Sequence, residues 1–450
     1  MPGNSWRGGT NRPSGKKERF AANLAALEVL QELEEQRRAA TEDEQRVLSG
    51  WSAWGALPEL FDETATRTIS SSDRQRVREL LGPTGWAQAR TTTLNAHYTD
   101  PAVAQAMWDA LESAGFEGGP VLEPGCGSGE FIGLAPESAQ MVGVELDPTT
   151  ARIAAHLHPD QQIHSAGFEK TAFQDDAFHA TVGNVPFGNF RVQDATHNGM
   201  GHSIHNHFIL KSLRLTAPGG YVAVMTSAHT MDSKRTTARR EMARYGDLVG
   251  GVRLPAGAMA ASAGTEVGTD VLVFRRRMPG EKPDADAISA WVEPGQTTVT
   301  DRDGNQHELT YSRWFGEHEA AVLGTVEYDS GPFGPVYTVT GDSGVELGEQ
   351  VRERLVAQLA ESAERGLGYG PVPAKGAELD LEPGLRFAPE PEAAIGHVRF
   401  NASEQRFERY VAGMQWVKTA RVAKKDIAEV RALLDLRDSA AEVVASQLSP

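Results

Sequence analysis

"GPVLEPGCGSGEF", residues 119–131, decides the fold. An apolar run ends in Glu123-Pro124, and Gly125, Gly127 and Gly129 then alternate ahead of Phe131. Glycines just past a first strand let the backbone turn sharply and approach a ligand closely, while the helix that follows presents free amide hydrogens. Alone, such a loop is also compatible with a plain tight turn. The next strand-like stretch, "AQMVGVELD", residues 139–147, places Glu145 at its end. A carboxylate there can accept both hydroxyls of a ribose, so the two features together point to a nucleoside-containing cofactor.

Outward from this pair, residues 85–280 alternate apolar strands with helical patterns: "AFHATVGNVPF" (177–187), "GGYVAVMTS" (219–227), "DLVGGVRLP" (247–255) and "TDVLVFRRR" (269–277). Alternation of this kind predicts a doubly wound α/β sheet, with the last two strands as an antiparallel edge hairpin. Residues 1–15 read as a disordered tail rich in Gly, Pro, Ser and Asn. Residues 16–84 read as a helical extension, with Phe20, Leu24, Leu27, Leu30 and Leu33 at helical spacing and a capping box formed by Thr41 and Glu44. After 280 come a small α+β region (281–365), a linker-like stretch (366–395) and a strand and helix segment (396–450), whose last helix is expected over 421–447.

Composition removes several function classes. No apolar run reaches membrane-spanning length and the amino terminus lacks a signal-peptide core, so cytoplasmic residence is expected. The single cysteine, Cys126, excludes an internal disulfide and a Cys-rich zinc module, and reads as a small packed residue. A formal charge of −17, with the acid excess mostly after residue 280, argues against coating nucleic acid by bulk electrostatics. Positive spots remain in the tail (Arg7, Arg12, Lys16, Lys17, Arg19) and in "SKRTTARREMAR", residues 233–244. The latter follows a strand on the carboxyl-end rim of the sheet, where phosphate contact and a solvated helix face are both open readings. No phosphate-loop motif ending in Gly-Lys-Ser/Thr occurs, which argues against nucleotide hydrolysis.

"EPGCGSGEF" (123–131) with "GVELD" (143–147) resembles the S-adenosylmethionine site of class I methyltransferases. "NVPFG" (184–188) resembles the Asn/Asp-Pro-Pro-Tyr/Phe motif of amino-methyltransferases acting on adenine in DNA, and "HYTDPAVAQAMWDAL" (97–111) is similar to the opening motif of those enzymes. That order is the gamma arrangement. A narrower likeness, carried by "ATEDEQRVLSGWSAWGALPELFD", "GNVPFGNFRVQD", "SIHNHFILKSLRLTAPGGYVAVMTS" and "GTEVGTDVLVF", is to the amino-terminal methylase part of large methylase-helicase fusion proteins of phages, plasmids and defence islands.

The resemblance implies a Rossmann-like, seven-stranded mixed sheet, S-adenosyl-L-methionine as cofactor and adenine N6 in DNA as target. It implies restriction-modification, anti-restriction or phage defence as setting, with a helicase or other defence or conjugation protein as a possible partner. It places Tyr98 and Thr99 at the methionine part of the donor, Glu123, Gly125 and Gly127 at that same end, Glu145 at the ribose and Glu169 near the donor's adenine. The catalytic set is Asn184, Val185, Pro186 and Phe187. An exocyclic amine is a poor nucleophile because its lone pair is delocalised into the ring. Hydrogen bonds from its two hydrogens to the Asn184 side-chain oxygen and the Val185 carbonyl push the nitrogen towards a reactive geometry; Pro186 fixes φ, and Phe187 supplies a stacking face. Val185 stands where the family has a first proline, which is expected to loosen the loop, and Glu169 stands where Asp is commoner.

Rival readings stay open at this level. A planar glutamine amide or an RNA amine fits the same loop, and a non-catalytic DNA-binding scaffold could retain the fold. The run "THNGMGHSIHNH" carries His197, His202, His205 and His207, but His205 and His207 point apart at a helix start, so no metal is expected.

Overall fold

Asp100 and Asp147 start the two helices that flank the glycine turn. In the computed structural model each aspartate caps its helix, Asp100 accepting from the Ala102 amide and Asp147 from that of Thr150, with proline next in line. The structure describes residues 6, 7, 13, 15–65, 69–92, 99–258, 268–331, 334–341, 347–373, 379, 381–387, 398–401, 406–411, 415–419, 422–434, 436 and 437. The chain divides into two units, Met1–Phe387 and Ala388–Pro450.

The first unit is built on one large sheet. Its strands are β1 (Gly119–Pro124), β2 (Ala139–Glu145), β3 (Gln162–Ser165), β4 (Phe178–Asn184), β5 (Thr216–Ser227), β6 (Gly246–Arg253) and β7 (Thr269–Arg276), with β12 (Gly384–Phe387) at the edge. They lie in the order β12-β3-β2-β1-β4-β5-β7-β6. Every pairing from β12 to β5 is parallel, and β7 runs antiparallel to both β5 and β6. Helices cover both faces, so β5 is buried along its whole length, as a central parallel strand must be. Chain direction across the sheet reverses between β1 and β4, and a ligand crevice opens at the carboxyl ends of strands beside such a switch point.

Around the sheet, α1 (Lys16–Gln36), α2 (Glu42–Leu48) and α3 (Ser71–Thr92, broken at Gly82) form the amino-terminal helical layer. α4 (Pro101–Ser113), α5 (Glu130–Leu134), α6 (Pro148–Leu157), α7 (Ile204–Leu215), α8 (His229–Asp232) and α9 (Thr237–Tyr245) alternate with the strands. The helical layer is bonded to α6: the Trp51 indole donates to the Thr150 hydroxyl at 3.0 Å, and Gln45 to the His156 carbonyl at 3.1 Å. α3 carries on past residue 84 to Thr92. Most of the amino-terminal tail lies outside the described residues. Trp6 and Arg7 are described: the Trp6 amide donates to the Leu157 carbonyl, and the exposed Arg7 donates to that of Ala135.

Later segments close over the sheet. β8 (Pro294–Thr300) and β9 (Gln306–Ser312) form one hairpin, β10 (Thr325–Gly331) and β11 (Gly334–Thr340) another, with α10 (Ala285–Val292) and α11 (Arg313–Glu317) beside them. A buried guanidinium ties these hairpins to the sheet. Arg253 donates to Asp270 at 2.7 and 2.8 Å, to Asp232 at 3.1 Å and to the Tyr337 hydroxyl at 2.7 Å, and lies over the Phe315 ring. α12 (Leu347–Glu364) packs on α4 and β6. Residues 366–373, part of the stretch read as a linker, run along the sheet: the Gly370 amide donates to Gly219 and that of Val372 to Pro218. The same stretch then supplies β12, an eighth strand against β3 where seven were expected. The second unit holds a three-stranded antiparallel sheet of β13 (Val398–Asn401), β14 (Arg406–Val411) and β15 (Gln415–Lys418), with Arg399, Arg406 and Asn401 gathered on the buried Glu408. Residues 427–434 are helical, and the end of the helix expected over 421–447 lies outside the described residues.

Candidate active site

The glycine turn is a strained left-handed path. Gly125, Gly127 and Gly129 have φ of 77°, 56° and 90°, and the amides of Gly125 and Cys126 both donate to the Val144 carbonyl at the end of β2. At Gly129 the space is also forbidden: a Cβ would lie 2.6 Å from the ring of His158, which is buried behind the loop. His158 was missed by motif reading because it belongs to the end of α6, far from the loop in sequence. Burial holds its imidazole down at about 4, so it backs the loop as a neutral ring.

Glu145 reaches back into this turn. One carboxylate oxygen accepts the Gly127 amide at 2.9 Å and the other that of Asp147 at 2.7 Å. Burial, with Asp147 adding repulsion, pushes its acid up to about 7 even though the amide bonds oppose the shift. Each oxygen keeps a further lone pair, so a ribose diol can still be accepted. Glu123, at the end of β1, is 2% exposed and its Oε2 has no hydrogen-bond partner. Burial and the nearby charges of Glu130 and Glu145 raise its acid well above the ordinary carboxylate range.

Across the switch point stands Asn184, the last residue of β4. Both of its side-chain polar atoms, Oδ1 and Nδ2, are buried without a hydrogen-bond partner. Its loop touches the glycine turn: a Cβ on Gly125 would lie 3.9 Å from the Asn184 carbonyl oxygen and from Pro186 Cδ, and 3.7 Å from the Phe208 ring. One on Gly183 would lie 3.3 Å from Glu123 Cγ. The expected loosening at Val185 is corrected by its backbone. The Val185 amide donates to the Met225 carbonyl at 3.0 Å, a bond that a proline could not make, and the side chain is 1% exposed in the core beside Phe208. Pro186 and Phe187 follow, both half-buried.

Other expected positions are distributed as follows. Tyr98 lies outside the described residues, and Thr99 is buried just ahead of α4. Glu169 sits in a short turn after β3 with its carboxylate folded back over Gly167, and burial raises its acid. Two of the four histidines share a carboxylate and the other two stand apart. His197 meets Asp175 and Asp194, His202 meets Glu241, His205 bonds the Gly188 carbonyl and the Ser203 hydroxyl, and His207 meets Asp194. Among the described residues no group of three or more His, Cys, Asp or Glu is arranged to hold a metal ion. In "SKRTTARREMAR" Arg239 is no surface charge: it is 1% exposed and donates to the carbonyls of Val292, Thr230 and Ser233, while Lys234, Arg235, Arg240 and Arg244 are exposed.

A sheet ordered 3-2-1-4-5-7-6 with only β7 reversed is the class I S-adenosylmethionine-dependent methyltransferase fold, and the glycine turn and Asn184 flank its switch point. No protein-family model matches the chain. Over 218 residues, 46% of its length, the chain is 29% identical to the "Defense against restriction protein B" of Escherichia phage P1, and the match spans 9% of that protein. Among solved structures it superposes on a class I S-adenosylmethionine-dependent methyltransferase of Listeria monocytogenes with a TM-score of 0.36 and 16% identity, over 60% of this chain and 90% of that one. It superposes on the modification subunit of a type I restriction enzyme of Vibrio vulnificus with a TM-score of 0.36 and 18% identity, over 62% and 63% of the two chains.

Proposed function

We propose that the chain is an S-adenosylmethionine-dependent DNA methyltransferase acting on the N6 amine of an adenine turned out of the duplex, in a restriction-modification, anti-restriction or phage-defence setting. The observation that carries this reading is Asn184. A buried amide with neither oxygen nor nitrogen satisfied costs stability of roughly 1–3 kcal/mol per group unless a ligand satisfies it. An adenine edge does so, with the exocyclic amine donating to Oδ1.

The bound donor supplies an electrophilic methyl on a sulfonium, itself a good leaving group. Residues of this chain do the rest. Glu123, Gly125 and Gly127 surround the methionine end, Glu145 takes the ribose hydroxyls and Glu169 lies towards the base, with Thr99 and Tyr98 completing the methionine side. Asn184 Oδ1 and the Val185 carbonyl accept the two amine hydrogens and aim the nitrogen, Pro186 fixes the carbonyl and Phe187 faces the base. Holding nitrogen, methyl and sulfur in line supplies several kcal/mol without a metal or a covalent intermediate.

The test is transfer of labelled methyl from S-adenosylmethionine to DNA, RNA and protein extracts by the chain and by Asn184→Ala. Label in DNA that becomes N6-methyladenine, reduced at least 100-fold in the variant, supports the reading. Label confined to protein or RNA overturns it in favour of a glutamine or RNA amine, and donor binding with no transfer to anything favours a scaffold.

A further inference from the structure

Directly after the catalytic motif the chain does something costly. Phe190 is 45% exposed and Met200 60% exposed, and Phe190 is the one aromatic among the exposed large hydrophobics of the described residues. Both lie on the loop that leads from Phe187 to α7.

Nothing about that loop is slack. The Ile204 amide donates to the Phe190 carbonyl at 2.9 Å, and Arg191 bridges Ser203. Asn198 donates to the Val192 carbonyl at 2.9 Å and accepts the His202 amide at 2.8 Å. Asp194 accepts the amides of Thr196 and His197 and pairs with buried Lys211 and His207. The loop is thus held from inside by polar bonds, with Met200 and part of the Phe190 ring left outside. The Phe190 ring lies against the backbone of Gly188, where a Cβ would come within 2.7 Å of it. Arg191 is exposed, and its guanidinium runs alongside Gly201, next to Met200.

We propose that Phe190 is a stacking face for the nucleobase beside the target adenine, with Arg191 on the adjoining phosphate. This rests on the DNA reading above. Turning a base out strips its neighbour of a stacking partner, and an aromatic face at the rim replaces it. A formal charge of −17 gives no long-range attraction for DNA, so a short-range stacking contact supplies grip that net charge does not.

The experiment measures anisotropy of fluorescein-labelled mixed-sequence oligonucleotides, single-stranded and duplex, with sinefungin present. The wild-type chain is compared with Phe190→Ala and Phe190→Trp, and sinefungin affinity is measured separately. Phe190→Ala is expected to weaken DNA binding about 10- to 100-fold, Phe190→Trp to keep it, and both to bind sinefungin like the wild type. DNA affinity of Phe190→Ala within twofold of a wild type that binds DNA overturns this inference alone. A wild-type chain that binds no DNA and methylates only protein overturns the DNA reading and this inference together.

Discussion

Lowering the pH from 8 to 6 should loosen the methyl donor's grip about tenfold, through Glu145. Its acid sits at about 7, because burial outweighs the two backbone amides that favour the carboxylate. A diol donates two hydrogen bonds and needs an acceptor on both oxygens, so only the ionised form binds fully. With that midpoint, about nine-tenths of Glu145 is ionised at pH 8 and about one-tenth at pH 6, and apparent affinity falls in the same ratio. His158 and His205, both near 4, do not titrate in this window. Calorimetric titration with sinefungin in buffers of different ionisation enthalpy checks both the affinity and the proton count: at pH 7 about half a proton leaves Glu145 per donor bound. Glu145→Gln should bind weakly throughout with a shallower slope. Affinity flat from pH 6 to 8, or proton uptake on binding, would refute the reasoning.

Two further substitutions test the frame around the site. Gly129→Ala combines a φ of +90° with a Cβ 2.6 Å from the His158 ring, whereas Gly115→Ala combines a φ of +102° with open space. Both should lose about 1–2 kcal/mol to backbone strain, and the excess loss at 129, read by thermal melting, measures the contact. Arg253→Met leaves Asp270 and Asp232 buried without their cation, and should cost about 3–5 kcal/mol in urea unfolding of the whole chain.

Local chemistry was legible in the sequence; distant partners were not. The Thr41–Glu44 capping box closes within three residues, and the alternating glycines and the strand-ending Glu145 stand on two successive strands, so spacing points to their geometry. β12 gives no such signal, because Gly384–Phe387 becomes a strand only by pairing with an edge more than 200 residues earlier. Arg253 and Arg239 look like surface cations in their own segments, and only the approach of Asp270 and of the Val292 carbonyl turns them into buried staples. The tolerance of valine at 185 is of the same kind, since the Met225 carbonyl that holds it belongs to another strand.

Asn184 differs from the other buried polar side chains. Lys211 and Arg239, both buried, each make three hydrogen bonds. Where other described side chains leave a single buried polar atom without a partner, as Glu123 does with Oε2, Asn184 leaves both of its own open. If those atoms are kept for a ligand, removing their polarity should help the empty fold. Asn184→Leu, close in shape, removes two unsatisfied polar groups. It is expected to raise the melting temperature of the ligand-free chain, a gain of about 1–3 kcal/mol, while ending transfer. Adenosine with sinefungin should then stabilise the wild type more than sinefungin alone, and should lose that extra effect in the variant. A leucine variant less stable than the wild type means that Asn184 carries structure, and the pocket reading falls with it.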